Sequence, residues 1–169
     1  MTYTSAEAAK LVRTLNEEQA AMKEKEAKTA VFVAALEENI EDVRPAYDYE
    51  AVQEAIKDLE GKVRKVKHAI NLFNMTTEVP GFDMTIDQML VYIPQLNERK
   101  YKLTQMAARL PKERQSSSGY GGKAIVEYKY ANYDIEKAEA DLKAVTEELA
   151  KAQTALDVVN TTATLELEL

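Results

Sequence analysis

Apolar residues recur along much of this chain at intervals of three and four, the spacing that lines one face of an α-helix. The clearest run is Val52, Ile56, Leu59, Val63, Val66, Ile70 and Phe73, which alternates four and three without a miss. Asp48 stands before it as an N-cap. This is a heptad seam, the coiled-coil-like pattern of helices that pack at a shallow angle. At 1.5 Å per residue the predicted helix is roughly 36 Å long. Ile135, Ala138, Leu142, Val145, Leu149, Ala152, Leu156 and Val159 form a second unbroken seam and predict a helix over 133–160.

Two further helices follow from weaker patterns. Thr4 with Glu7 three residues later has the form of a capping box. Ala8, Leu11, Leu15 and Met22 then predict a helix over 5–27, with Glu18 interrupting the apolar row. Thr85 and Gln88 repeat the capping spacing ahead of Met89, Leu90, Ile93, Leu96, Leu103, Met106 and Ala107. That helix is predicted over 86–110, kinked or interrupted at Pro94 and closed by Pro111. Gly61 inside the longest seam costs about 1 kcal/mol relative to alanine and reads as a tolerated blemish.

Strand signals are shorter. Thr29 to Ala34 sets two valines around Phe32 and predicts a strand, with continuation of the first helix as the rival reading. Ala124, Val126, Tyr128 and Tyr130 share one face of a period-two segment, as do Leu165, Leu167 and Leu169. The acidic stretch 37–42 reads as a solvated loop, and 116–122, rich in serine and glycine, as a mobile surface loop. The expected architecture is mainly α: long antiparallel heptad-patterned helices in a bundle, with a small antiparallel sheet of about three short strands. A length of 169 residues fits a single domain over 1–169.

Charge and composition narrow the function. The net charge of −7 sets the chain apart from duplex-binding proteins, which present a basic face to phosphate, so no nucleic-acid partner is expected. The local basic run Lys62, Arg64, Lys65 and Lys67 reads as a solvated helix face, with an anion or acidic-partner site as the alternative. No apolar run approaches the roughly 20 residues that span a bilayer, and 1–10 lacks the basic head and apolar run of a signal peptide. With no cysteine, the expectation is a cytoplasmic protein without a membrane partner.

Catalytic chemistry finds little to work with. A histidine-based triad would have to use His68, the single histidine, which falls off the apolar seam. Zinc sites built on cysteines or several histidines, and di-iron sites built on paired Glu-x-x-His, are excluded by the same count. No dinucleotide or phosphate-loop motif is present. No catalytic residue, metal ligand or cofactor is assigned. One echo stands out: the polar residues that follow Phe73 resemble those that follow Val159, each where a long helix gives out. Asparagine ends helices and threonine hydroxyls satisfy their loose carbonyls. Paired helix stops are the plain reading. The functional reading is a polar site formed by Asn71, Asn74, Thr77, Asn160 and Thr162.

The same residues carry a family resemblance. Ile70, Asn71, Asn74 and Thr77, then Gly81, Met84 and Thr85, resemble the septicolysin-like family of small bacterial proteins, with its Ile-Asn-x-x-Asn-x-x-Thr motif, glycine turn and helix start. Asp134, Ile135, Val145, Glu148, Leu149, Leu156, Asn160, Thr161 and Thr162 resemble its closing helix, with Thr161 where the family has tryptophan. The resemblance implies a small cytoplasmic protein of unknown role. Together these readings favour a non-enzymatic structural or interaction protein that forms homo-oligomers. An enzyme or small-ligand-binding protein using the Asn/Thr junctions, and a phage or mobile-element assembly component, are the alternatives.

Overall fold

The computed structural model describes residues 1–115 and 126–169. The fold is mainly α with small antiparallel sheets. In order it runs β1 (Thr2–Thr4), α1 (Ser5–Thr29), α2 (Ile40–Val43), α3 (Tyr49–Thr76), α4 (Ile86–Ala107), β2 (Lys112–Gln115), β3 (Glu127–Tyr130), α5 (Ile135–Thr162) and β4 (Thr164–Glu166). Two compact units divide the chain: Met1–Thr77 with Val158–Leu169, and Glu78–Asp157. Among the described residues, no helix is long and apolar enough to cross a membrane.

In the first unit α1 and α3 pack as an antiparallel pair. Gln19 on α1 donates to Glu60 at 2.8 Å, and one turn pair further along Glu26 accepts from Gln53 at 2.5 Å, so the partners retreat along α3 as α1 advances. The capping box opens α1: Thr4 N–H donates to Glu7 Oε2 at 2.8 Å and Glu7 N–H to Thr4 Oγ1 at 3.2 Å. The bond from the Thr4 N–H holds the Glu7 carboxyl below the usual range. The α3 seam faces inward, with Ile56, Leu59, Val66 and Phe73 buried and Val52, Val63 and Ile70 half-buried. A Cβ built on Gly61 meets nothing nearer than the Arg64 guanidinium at 3.8 Å. That glycine therefore serves no close approach.

The strand predicted over 29–34 does not form. Thr29 is the last residue of α1, its hydroxyl bonded back to the Lys25 carbonyl at 3.1 Å. Residues 31–34 keep the strand's alternation, with Val31 and Val33 exposed and Phe32 and Ala34 half-buried, yet among the described residues no strand pairs with them. The acidic stretch is also not a plain loop. Asn39 accepts from the Glu41 N–H at 3.2 Å and starts α2, whose first-turn acids suit the positive helix end.

Among the described residues the strands form two separate two-stranded ribbons in place of one sheet of about three strands. β4 takes β1 as its antiparallel partner, a three-residue strand too short to betray itself by alternation, with Tyr3 opposite Leu165. The ladder extends through Leu167 N–H to the Met1 carbonyl at 2.9 Å. β4 packs on α3 and buries Leu165 and Leu167, whereas Leu169 is 51% exposed.

The second unit holds α4, the β2–β3 ribbon and most of α5. Its helices also run antiparallel: Tyr92 in α4 donates to the Glu148 carboxylate in α5, and Tyr133, two residues ahead of α5, donates to the carbonyl of Met106, near the end of α4, at 2.8 Å. The bond to Glu148 pushes the Tyr92 hydroxyl above its ordinary pKa. Ile86, Met89 and Leu96 are buried from α4, and Ala138, Val145, Leu149, Ala152 and Leu156 from α5. Leu90, expected on the seam, is 50% exposed. Pro94 does not interrupt α4, which ends at Ala107, short of the predicted 110. Before α4, Gly81 takes φ +83° in a turn closed by Phe82 N–H to the Val79 carbonyl at 3.1 Å. An L-residue is strained there.

The ribbon β2–β3 is antiparallel and exposed on both faces. Its β3 strand begins at Glu127; Ala124 and the loop reading of 116–122 lie outside the described residues. Two predictions follow from this packing. Gly61→Ala should raise stability by about 0.5–1 kcal/mol, since the helix gains and nothing is displaced. Leu165→Ala and Leu167→Ala should each cost about 2–5 kcal/mol, while Leu169→Ala changes little. Chemical denaturation of the three leucine variants checks the ribbon's burial, and equal effects at all three positions would contradict it.

Candidate functional site

The helix-end residues singled out in the sequence all fall in the first unit. Asn71 and Asn74 lie in the last two turns of α3, Thr77 caps it, and Asn160 and Thr162 end α5. Asn71 and Thr162 are exposed, and Asn74, Thr77 and Asn160 are half-buried. The threonines at these ends serve their own helices. Thr76 Oγ1 donates to the Leu72 carbonyl at 2.8 Å, Thr162 Oγ1 to the Val158 carbonyl at 2.7 Å, and the Thr77 N–H to the Phe73 carbonyl at 2.9 Å. Among the described residues, no hydrogen bond joins any of the five to another. His68 is exposed on α3, as are Arg64, Lys65 and Lys67, while Lys62 pairs with Asp58 at 2.7 Å.

A better-formed concavity lies elsewhere in the same unit, between α1 and α3. Ala21, Ala51 and Ala55 leave space between the helices, Met22, Val52 and Leu59 wall it, and Ala46 and Tyr47 close one end. Its volume is about 770 Å³. That size and this mostly apolar lining match small-molecule sites.

Glu26 is the polar centre of this cleft. Its Oε1 accepts from the Tyr47 hydroxyl at 2.7 Å and from the Gln53 amide at 2.5 Å. No cation pairs with it among the described residues. The bond to Glu26 and partial desolvation push the Tyr47 hydroxyl up to about 12. Tyr47 is therefore held as a neutral donor rather than a nucleophile, and its bond and that of Gln53 orient the Glu26 carboxyl beside apolar walls. Asp48, on the rim, is committed to capping α3 through the Ala51 N–H at 3.0 Å.

Sequence reasoning missed Glu26, Tyr47 and Gln53. A signal was present: Glu26 lies four residues beyond Met22, on the row that Ala8, Leu11, Leu15 and Met22 define. With Glu18 it is a carboxylate on a largely apolar row, and such positions mark where the helix face stops being core. Tyr47 and Gln53 reach it across 21 and 27 residues, a proximity that no spacing rule supplies.

Neither a protein-family model nor a curated protein matches the chain. Among solved structures, the chain is similar to a functionally unknown conserved protein from Corynebacterium diphtheriae, with a TM-score of 0.56 and 16% identity. The alignment covers 98% of this chain and 100% of that one. At that identity the likeness shows a shared fold and nothing about activity.

The Tyr47–Glu26 bond has a pH signature. The folded pKa lies above the unfolded value of 10.0, so the neutral phenol favours the folded state. That contribution is fully present below pH 10 and is lost as pH rises through about 12. Wild type should therefore exceed Tyr47→Phe in melting temperature by a constant margin below pH 10, and the margin should close toward pH 12. A margin that stays level across that window would show that the bond does not hold in solution.

Proposed function

We propose that this protein is a non-enzymatic interaction protein that assembles with copies of itself. The observation that carries this reading is the segment 31–36. Val31 is 78% exposed, Val33 92% and Leu36 fully so, and no backbone group of 31–34 is hydrogen-bonded among the described residues. An apolar, β-prone segment with open N–H and C=O groups is the form of surface that pairs with another chain.

The segment is also held in place. The Arg44 guanidinium lies 5.4 Å from the Phe32 ring and forks onto Glu41 at 2.9 and 3.1 Å, while Ala35 N–H donates to Glu38 Oε2 at 2.8 Å. A segment fixed in the free protein loses less entropy on docking. A second copy presents the same segment, so a two-fold arrangement would cover both at once.

A second reading, small-ligand binding, is favoured by the cleft around Glu26. An ammonium group on an apolar body fits an unpaired carboxylate beside alanines and leucine. We also propose membership of the septicolysin-like family, supported by the order of Ile70, Asn71, Asn74, Thr77 and Gly81. The assembly reading does not depend on it.

Light scattering at tens of micromolar should find a concentration-dependent oligomer. Val31→Lys with Val33→Lys should return it to monomer without lowering the melting temperature, because both side chains are exposed in the single chain and like charges across an interface are strongly unfavourable. A strict monomer throughout that range would overturn the reading. For the cleft, calorimetric titration with 2-phenylethylamine should detect binding that Glu26→Gln weakens about tenfold. Equal binding by both proteins removes the second reading.

A further inference from the structure

The register of the β2–β3 ribbon sorts its side chains by chemistry. Lys112 pairs with Tyr130 and Arg114 with Tyr128, while Glu113 pairs with Lys129 and Gln115 with Glu127. Directly paired residues share a face and neighbours along a strand alternate. One face is therefore Lys112, Arg114, Tyr128 and Tyr130, with two cations and no acid. The other holds Glu113, Gln115, Glu127 and Lys129. All eight residues are exposed.

The basic face is organised. The Tyr128 and Tyr130 ring centroids lie 6.5 Å apart, and Lys112 Nζ sits 4.1 Å from one ring and 5.5 Å from the other. Neither Lys112 nor Arg114 has an acidic partner among the described residues. Two exposed tyrosines beside two cations that no carboxylate pairs among the described residues suit an occupant that is both anionic and flat. We propose that this face binds single-stranded nucleic acid, with bases stacked on Tyr128 and Tyr130 and phosphates held by Lys112 and Arg114.

A single strand fits better than a duplex. Stacking on an aromatic side chain needs an unstacked base, and four residues are too few for the many phosphate contacts on which duplex binding depends. The net charge of −7, which argued against any nucleic-acid partner, acts over the whole chain. At physiological salt its reach is about 8 Å, so the charge of this one face governs local contact.

Fluorescence anisotropy with a labelled oligothymidylate tests the proposal on the full chain. Two phosphate contacts to a single strand predict that log K falls with log salt at a slope of about −1.4. Lys112→Gln with Arg114→Gln should flatten that slope toward zero. Tyr128→Leu with Tyr130→Leu should weaken binding roughly tenfold per ring and leave the slope unchanged. All four positions are exposed, and melting temperatures close to wild type confirm that the variants fold. Absence of binding at low salt overturns the proposal, as does binding that ignores both pairs. If the cation variant instead alters only the oligomeric state, the face contacts protein and the nucleic-acid proposal is wrong. A monomer that binds the oligonucleotide would sink the assembly reading while leaving this one standing.

Discussion

Everything in this fold depends on the need of each long helix to bury one stripe. α3 keeps its stripe from Val52 to Phe73, which dictates an antiparallel partner along much of its length. α1 supplies that partner only in part, because its own row is apolar at Ala8, Leu11, Leu15 and Met22 and acidic at Glu18 and Glu26. Where the row of α1 is apolar, Leu15 is buried. Where α1 turns acidic, a cleft remains, lined by Glu18, Glu26 and Tyr47, with Gln53 bonded to Glu26 from α3. The cleft is thus the geometric result of a mismatch between two periodic patterns.

The helices were legible because their signal is local and repeated. Capping boxes at Thr4 and Thr85 and the cap at Asp48 stand where the sequence puts them. Strands were less legible, for a physical reason. Val31, Phe32 and Val33 have the side chains of a strand, but a strand also needs a neighbour, and that neighbour is a property of the fold. Thr2 to Thr4 shows the converse: an unremarkable tripeptide becomes a strand because Thr164 to Glu166 lies beside it. At the asparagine and threonine junctions Thr76 and Thr162 bond back to the Leu72 and Val158 carbonyls of their own helices, whereas Asn71, Asn74 and Asn160 lie within α3 and α5, and among the described residues only Gly81 takes a positive φ. Of the cleft around Glu26 the sequence shows only a carboxylate following an apolar row, because its residues meet only after α1 and α3 have paired.

Exposed apolar and aromatic groups divide into two kinds. Leu90 and Val91 are scattered on a helix surface, which is ordinary for soluble proteins. Val31, Val33 and Leu36, and separately Tyr128 and Tyr130, are grouped, aligned and held by neighbouring contacts. Order without burial is the property they share. A side chain fixed in water has given up rotamer freedom without gaining the usual return in apolar contact, so such groups are where recognition is most economically sought.

The β1–β4 ribbon has a temporal consequence. Its register sets Thr2 opposite Glu166, so the first unit is assembled from the two extremes of the sequence. Chains emerge from the ribosome in order, and segments fold as they become available. α1 and α3 can pair early, but Leu165 and Leu167 reach α3 only after every residue of the second unit has been made. Joining such distant segments carries a loop-closure cost that grows slowly with length, and the folded second unit shortens the loop to be closed. Until then the α3 surface that receives β4 stays wet, so a nascent or truncated chain presents a sticky face that the finished molecule hides.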